Sequence, residues 1–588
     1  MARSTRRDAS ARKRTALSRR TAPSAARVAG AAKRAQPSPS RVRTVAGIKS
    51  RVGARTEYRI YPSIGIARVG NSKGGFFIGP EAPGIAPEGP FRGPDGIKPQ
   101  GARFRIYQVD IDSNENETTI AEIVPNASIT IKWTVRLANR KAAGSRILDT
   151  LAREPRPDLR NKGFNREKLV ISAEDSIEGS DAVGSALTGS IEFARGTSKG
   201  KIVKDISLAT LRTDAEGRLV VVGGPGVSKS PFKAPLPSFA DNDGWYDSVS
   251  DGPVTATLVI DGQAQAVIPA WVVVTVPRYA PEVYGVVTWH DLAVAMARTN
   301  DDGSTSRPRT TSFTHDIYPV LKRADGLHWV HGGTHVSGPR PLSDGARLQE
   351  LQSSQEARAR LFAKLTPLNR EASGPQKLPQ MPNGTFQMPL LNSGSNPDPK
   401  GSTWAYLSLT WYQLAHFQNW VAGNYDADWP GSEPPPKPFE QIPVSDRPRA
   451  LTEAALEACI GGPFYPGIES TYEIARLGTY HADRHLRRDF RIDVERPAGF
   501  LTEKMALPWQ ADYADCADFW WPSQRPVRVT TQDGTDLLWD RGINGVRGVR
   551  RDGHLNMVDF WFKLAHVLRD AASGNFAEVG RQPINGVS

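Results

Sequence analysis

Sulfur is scarce in this chain: of 588 residues only Cys459 and Cys516 are cysteines, and six are methionines. Two cysteines make no disulfide framework of the kind that staples small secreted domains. Long apolar runs are missing as well, and nothing approaches the roughly 18 consecutive apolar residues that a membrane-spanning helix needs. The amino-terminal segment carries Arg6-Arg7 and Arg19-Arg20 with no apolar stretch behind either pair, so it does not read as a secretory or twin-arginine signal. A cytoplasmic setting is expected, with export after maturation left open. Acidic residues are absent from that segment apart from Asp8. Residues 1–55 hold 16 of the 75 Lys and Arg, hence +15, while the rest of the chain sets 59 basic against 61 acidic residues. The net charge of +13 therefore belongs to the head. Rich in Ala, Ser and Arg and free of aromatics, the head is read as a disordered basic tail, because it has too little apolar surface to fold alone. Its charge implies weak attraction to polyanions and no specific nucleic-acid partner.

Familiar site signatures are missing too. GGPG at 223–226 has the wrong spacing for a phosphate loop or a dinucleotide fingerprint, and no helix-forming sequence follows it. The run Gly70 to Gly74 matches G-x-S-x-G around Ser72, but a nucleophile elbow needs a helix straight after its serine, and GFFIGPEAPG cannot supply one. In HWVHGGTH, the pair Gly332-Gly333 breaks any helix that would align His328, His331 and His335, with no Cys or Glu nearby. No flavin, nucleotide or metal site is expected.

What is present reads as strands first and helices later. Ile129, Ile131, Trp133, Val135 and Leu137 alternate with polar residues, the period of a half-buried strand. TATLVIDGQAQAVIPAWVVVTVP at 255–277 predicts two strands joined by an Asp261-Gly262 turn, and RLVVVGGPG at 218–226 another strand ending in a glycine turn. Helical patterns occupy 344–365, 452–460 and 556–571, where Met557, Trp561, Leu564 and Leu568 make an apolar stripe. The expected class is α+β, with a disordered tail over 1–55, a β-rich domain over 56–290 and a mainly helical domain over 291–588 that carries the site.

One of the two cysteines sits in WQADYADCADFWWPSQRP, 509–526. Pro508 suits a first helical turn and Pro522 ends one, which predicts a short helix over 509–520. On it Asp512 and Cys516, four apart, share a face with Phe519. An adjacent carboxylate raises a thiol pKa, so Asp512 and Asp515 argue against a thiolate nucleophile. The pairing makes sense if the sulfur is consumed in a covalent bond while the carboxylate remains as a general base. An inert cysteine in an aromatic cluster fits the same residue types.

Together with WQADYADC and WWPSQRP, the stretches YRIYPSIGIARVGNS (58–72), FADNDGWYDSVSDGPV (239–254), SFTHDIYPVL (312–321) and ALEACIGGPFYPGIE (455–469) resemble the L-lysine ε-oxidase and glycine oxidase family. These quinoprotein amino-acid oxidases build cysteine tryptophylquinone from their own side chains. The resemblance runs from about residue 58 to near 570. It implies that Cys516 is the cross-linking cysteine, that Asp512 is the aspartate needed for cofactor formation and then the base, and that the quinone forms on a tryptophan near the C-terminus. Trp561 in VDFWFKL is the best match; on residue pattern alone it is a core tryptophan, and Trp520, Trp521 and Trp539 are its rivals. Cys459 matches a second family cysteine near the site. For the substrate carboxylate or the lining of the site, His416, Tyr465, His481 and Arg525 are candidates.

The same resemblance implies oxidative deamination of a free amino acid by O2, with release of ammonia and hydrogen peroxide and with no dissociable cofactor. A glycine-like substrate is the leading expectation. L-lysine ε-oxidation is the alternative, and a non-catalytic member without mature cofactor is another. A flavoprotein maturation partner and a homo-oligomer are expected.

Overall fold

The computed structural model describes residues 55–146, 158–331, 342, 345–362, 409–461, 471–515, 521–543 and 550–584. The basic tail up to residue 54, His335, Tyr465, Cys516, Phe519 and Trp520 lie outside the described residues. Residues 49–588 gather into one compact unit.

The front of the chain forms one large sheet. Its main path uses β1 (Ile64–Arg68), β2 (Gln100–Ile111), β3 (Ile129–Asn139), β4 (Ile171–Glu178), β5 (Val183–Phe193), β6 (Lys201–Thr213), β7 (Leu219–Gly223), β8 (Ser250–Ile260) and β9 (Ala270–Thr275). They lie side by side in the order β5-β6-β7-β2-β1-β9-β8-β3-β4. One pairing on the path is parallel, β1 with β9, from Ile64↔Trp271 to Arg68↔Thr275. The end strands meet: a Cβ added to Gly189 of β5 would stand 2.7 Å from the Ser172 carbonyl of β4, so the path curls until its ends touch.

The strands follow their residues. In β3 the five alternating apolar side chains are buried while Thr130, Lys132 and Arg136 are exposed. Asp261 and Gly262 both take positive φ, 50° and 76°, as a tight hairpin turn of this hand requires. Beyond the turn the expected single strand is in three pieces. Gln263–Gln265 pairs with β8, Val267–Ile268 pairs with Arg55–Tyr61, and β9 begins after Pro269, which has no N–H for a ladder.

β1 and β9 read as continuous apolar runs because both faces are covered. Ile64, Ile66, Trp271 and Val273 enter one core with Trp289, Leu456 and Cys459; Ala67, Val272 and Val274 enter the larger core with Trp509, Tyr513 and Trp561. Period-2 side-chain alternation thus feeds two cores from one pair of strands.

Helices dominate the later part: α1 (Trp289–Ala297), α2 (Tyr318–Gly326), α3 (Gly345–Ser353), α4 (Gln355–Phe362), α5 (Trp411–Ala422), α6 (Arg447–Glu457), α7 (Trp509–Asp515) and α8 (Arg550–Phe560). The helix expected over 344–365 is broken at Ser354, whose hydroxyl accepts from Ala357 N at 3.1 Å and starts α4. The helix expected over 556–571 is corrected more deeply. α8 ends at Phe560, Trp561–Lys563 is a single 3-10 turn, and His566–Arg569 is a strand, β10, paired with β11 (Phe576–Val579). The apolar stripe through Leu568 therefore does not exist, because Leu568 belongs to that strand.

Three strands of the path end together. Val69, after β1, donates to Thr275 O of β9 at 2.8 Å, and Gly70 donates to Gly224 O, after β7, at 2.9 Å. α6 packs on β1. Among the described residues no helix is long and apolar enough to cross a membrane.

Candidate active site

α7 is set in place by a buried charge network. Asp247 accepts from the Trp509 backbone N–H at 3.2 Å, from Lys141 Nζ at 2.6 Å and from Asn139 Nδ2 at 2.7 Å. Lys141 also donates to Ala506 O at 2.9 Å, and neither side chain of the ion pair reaches solvent. Burial pulls the Lys141 ammonium below its ordinary pKa, and Asp247, then more weakly Asp512, act in the opposite direction. The first N–H groups of a helix favour a negative partner, so Asp247 anchors the start of α7 while its charge is balanced by Lys141.

Along α7 the side chains divide by direction. Trp509 and Tyr513 meet edge to face at 5.0 Å, and Tyr513 meets Trp521 at 5.3 Å. Asp515 turns to α8, with Oδ1 3.1 Å from His554 Nε2, while His554 Nδ1 pairs with Leu236 O at 2.8 Å. Asp512 lies inside, 2% exposed. Cys516 follows directly in sequence, outside the described residues.

Trp561 comes to α7 at the end of α8, which packs on α7. It opens the 3-10 turn after α8, is 3% exposed, and its ring stands edge to face with Trp509, centroids 5.3 Å apart and planes at 70°. Its carbonyl accepts from Tyr279 Oη at 2.6 Å. On its other flank is Gly226, where a Cβ would stand 2.8 Å from Trp561 Cζ2. The structure therefore brings Trp561 against the helix that carries Asp512.

The rival tryptophans are occupied differently. Trp539 donates its Nε1–H to Ala565 O at 2.8 Å, with Tyr279 at 4.7 Å and the Arg525 guanidinium at 5.1 Å from its ring. Trp521 touches Tyr513.

The remaining sequence candidates are spread out. Cys459 is buried in the smaller core, with Arg68 Nη2 3.5 Å from its sulfur. Arg68 Nη1 reaches Gln524 Oε1 at 3.4 Å, and Gln524 Nε2 reaches Tyr513 Oη at 3.2 Å, so Cys459 is two hydrogen-bonded side chains away from α7. Arg525 is fully engaged: it pairs with Asp540 at 2.7 Å and donates to Tyr513 O at 2.8 Å. His416 sits on α5, its Nδ1 3.0 Å from Thr311 Oγ1 and 3.4 Å from Asp316; burial lowers its pKa and Asp316 opposes. His481 accepts from Asp483 N at 2.9 Å in a surface turn. Neither histidine contacts α7 or Trp561 among the described residues.

Lys141, Asp247, Gly226, Gln510 and Tyr279 were not marked by the sequence as site residues. Three of them had a signal: Asp247 lies in FADNDGWYDSVSDGPV, Gln510 in WQADYADC, and Gly226 ends GGPG. A roomy cleft of about 1080 Å³ lies elsewhere, walled by Tyr284, Tyr318, Trp329, Glu453, Glu457 and Phe576, and neither α7 nor Trp561 lines it.

Comparison with known proteins gives the family. The L-lysine epsilon oxidase N-terminal family model matches residues 61–274, and the L-lysine epsilon oxidase C-terminal domain model matches residues 390–533. The second range holds Asp512 and Cys516 and stops before Trp561. L-lysine 6-oxidase of Marinomonas mediterranea is 26% identical, over 78% of this chain and 70% of its own length. The crystal structure of L-Lys epsilon-oxidase from that organism superimposes with a TM-score of 0.65 at 22% identity, covering 89% of this chain and 94% of the other. The crystal structure of the Schiff base intermediate of that enzyme with L-Lys gives the same score and identity, covering 95% of that chain.

Fold and matched segments define an amino-acid oxidase that acts on CH–NH2 groups with oxygen as acceptor. Within that class, the chain belongs to the L-lysine ε-oxidase family of quinoprotein amino-acid oxidases.

Proposed function

We propose that this chain is an L-lysine ε-oxidase-type enzyme whose cofactor is cysteine tryptophylquinone made from Cys516 and Trp561. The observation that carries the reading is the placement of the Trp561 ring against α7, the helix that buries Asp512 and runs toward Cys516. The residues present fit such a group. Trp509 Nε1 is buried beside the Trp561 ring with no hydrogen-bond partner among the described residues, and carbonyl oxygens on that ring would bring an acceptor to it.

An ortho-quinone at Trp561 supplies an electrophilic carbonyl for a primary amine and a sink for two electrons. The protein's own part is to hold the amine-bearing carbon near Asp512, whose carboxylate takes the proton from that carbon, and to keep water from the exchange through the packed rings of Trp509, Tyr513 and Tyr279. The overall change is R–CH2–NH2 with O2 and H2O giving R–CHO, NH3 and H2O2. Formation of the cofactor breaks the Cys516 S–H and one ring C–H to make a C–S bond and converts two further ring C–H groups to C=O; two O2 accept the eight electrons, leaving two oxygens in the ring and two in water, with a flavoprotein partner as the expected catalyst.

The glycine-like substrate expected from the resemblance gives way to lysine, since the similar proteins carry lysine in their names and no described residue argues for a smaller substrate. Matured protein given L-lysine should release hydrogen peroxide and ammonia with a 6-semialdehyde product, and glycine should yield at least about tenfold less, a preference of roughly 1.4 kcal/mol. Turnover of glycine in preference to lysine would reverse the substrate assignment. Absence of quinone staining on the denatured polypeptide of an active preparation would remove the cofactor assignment.

A further inference from the structure

The turn that follows β7 touches both parts of the proposed cofactor site. Gln510, on α7 two residues before Asp512, is fully buried, and the turn engages both ends of its amide. Ser228 Oγ donates to Gln510 Oε1 at 2.6 Å, and Gln510 Nε2 donates to Gly226 O at 3.2 Å. The same Gly226 lies against Trp561. A Cβ there would stand 2.8 Å from Cζ2 and 3.2 Å from Cη2, adjacent carbons of the six-membered ring, and 3.1 Å from Val69 Cγ2.

The ring has little room to yield. Trp509 stands on it, and the Trp561 backbone is tied to Tyr279. Gly226 also takes φ of +71°, which a side chain disfavours on its own account. One residue therefore sets the closest approach to the indole while its carbonyl holds α7. The turn is itself fixed to the sheet, because Gly70 donates to Gly224 O where β1 and β7 end.

We infer that the Gly226 turn is the positioning element that sets the Trp561 ring in register with α7, and that Gly226 and Gln510 serve the joining of Cys516 to Trp561 rather than turnover. This rests on the assignment of Trp561 as the quinone-forming residue. Bond formation between a sulfur and a ring carbon needs the two held at near-contact distance, and a misplacement of about 1 Å costs on the order of a hundredfold in rate. The two partners lie 45 residues apart in sequence; α8 packs on α7 and brings Trp561 alongside, and the sheet end adds a second, rigid reference for the ring. The sheet end does so through a residue with no side chain to intrude. This gives GGPG, which fails as a phosphate loop, a reason for its last glycine.

The test compares Gly226→Ala and Gln510→Met with wild type and with Gly262→Ala. Gly262 has a similar φ, 76°, but a Cβ there meets nothing within 4 Å, so it carries the conformational strain without the collision. All four are produced together with the maturation partner. Peptide mapping by mass spectrometry then gives the ratio of the linked, oxygen-bearing Cys516–Trp561 species to the two free peptides, and thermal midpoints are taken on the same samples.

Gly226→Ala should lower that ratio at least about tenfold, with Gln510→Met changing it in the same direction and Gly262→Ala leaving it at the wild-type value. A purely structural role would lower the midpoint and leave the linked ratio of the folded protein unchanged, and that result overturns the inference. If Gly226→Ala does not fold, Gln510→Met decides by the same criterion. A wild type with linked species and variants to match removes only the positioning role, whereas a wild type with Trp561 unmodified removes the cofactor assignment and this inference with it.

Discussion

His566 is held as a neutral imidazole between the Phe91 ring, stacked at 5.7 Å, and Tyr279 at 5.4 Å. Burial, with a smaller push from Arg92, draws its pKa from 6.5 to about 3. The folded state thus refuses a proton that the unfolded chain accepts near pH 6.5. Stability from this site is complete above that pH and drains as pH falls toward 3, at about 1.4 kcal/mol per unit. Asp251 works the other way. Burial raises it to about 6 although Trp271, Leu501 and Thr502 donate to it, so its term is fullest below pH 4 and is lost as pH rises through 6. Because the two oppose each other, a variant isolates one. The stability advantage of wild type over His566→Gln, read by urea unfolding, should shrink by about 2 kcal/mol between pH 7 and pH 5; an advantage constant with pH would show that His566 takes up its proton in the folded state. Asp512 belongs to the same scale. Asp512→Asn keeps the shape of a buried side chain and removes the carboxylate needed for cofactor formation and then as base, so the variant produced with the maturation partner should fold, show little of the linked Cys516–Trp561 species and lose at least about a hundredfold in turnover, and near-wild-type turnover would assign both roles elsewhere.

At the scale of elements, α7 shows what local sequence can and cannot reveal. Its start was legible, since Pro508 precedes a run with helical spacing. Its anchor was not, because Asp247, Lys141 and Asn139 come from strand and loop segments hundreds of residues away and meet only in the fold. The stretch 556–571 misled for a related reason. Its apolar residues keep helical spacing, yet Met557 is buried on α8, Trp561 and Leu564 in and just after the turn that follows it, and Leu568 lies half-buried in strand β10, so three different settings mimic one stripe. Substituting one member of the anchor tests its weight. Lys141→Met leaves Asp247 charged and buried with only amide donors, and removal of one partner of such a pair costs roughly 3–5 kcal/mol. A comparable fall in denaturant midpoint is expected, and a loss under about 1 kcal/mol would mean that the backbone and Asn139 donors suffice for Asp247.

For the whole molecule, the β-then-α order was legible from the change of period near residue 285, and so was the tight turn at Asp261-Gly262. The strand order was not, since β1 pairs β9 across some 200 residues and neither strand alternates: each separates two cores and is apolar on both faces. Charge is the property of the whole chain that sequence gives outright. Removing residues 1–50 takes away 14 basic residues and one acidic residue, leaving 61 of each sign. A neutral body has no counterion-release drive toward polyanions, whereas the full chain carries a cluster of cations whose binding should weaken steeply between roughly 50 and 200 mM salt. On immobilised heparin the full chain should be retained and then released by salt, and the shortened chain should pass through. The matched family segments begin at residue 61, after the deleted stretch, so amine-dependent peroxide release and the thermal midpoint should be the same for both. Loss of turnover in a shortened chain that keeps its midpoint would give the basic segment a part in catalysis or maturation, and heparin retention surviving the deletion would locate the cationic surface on the folded body.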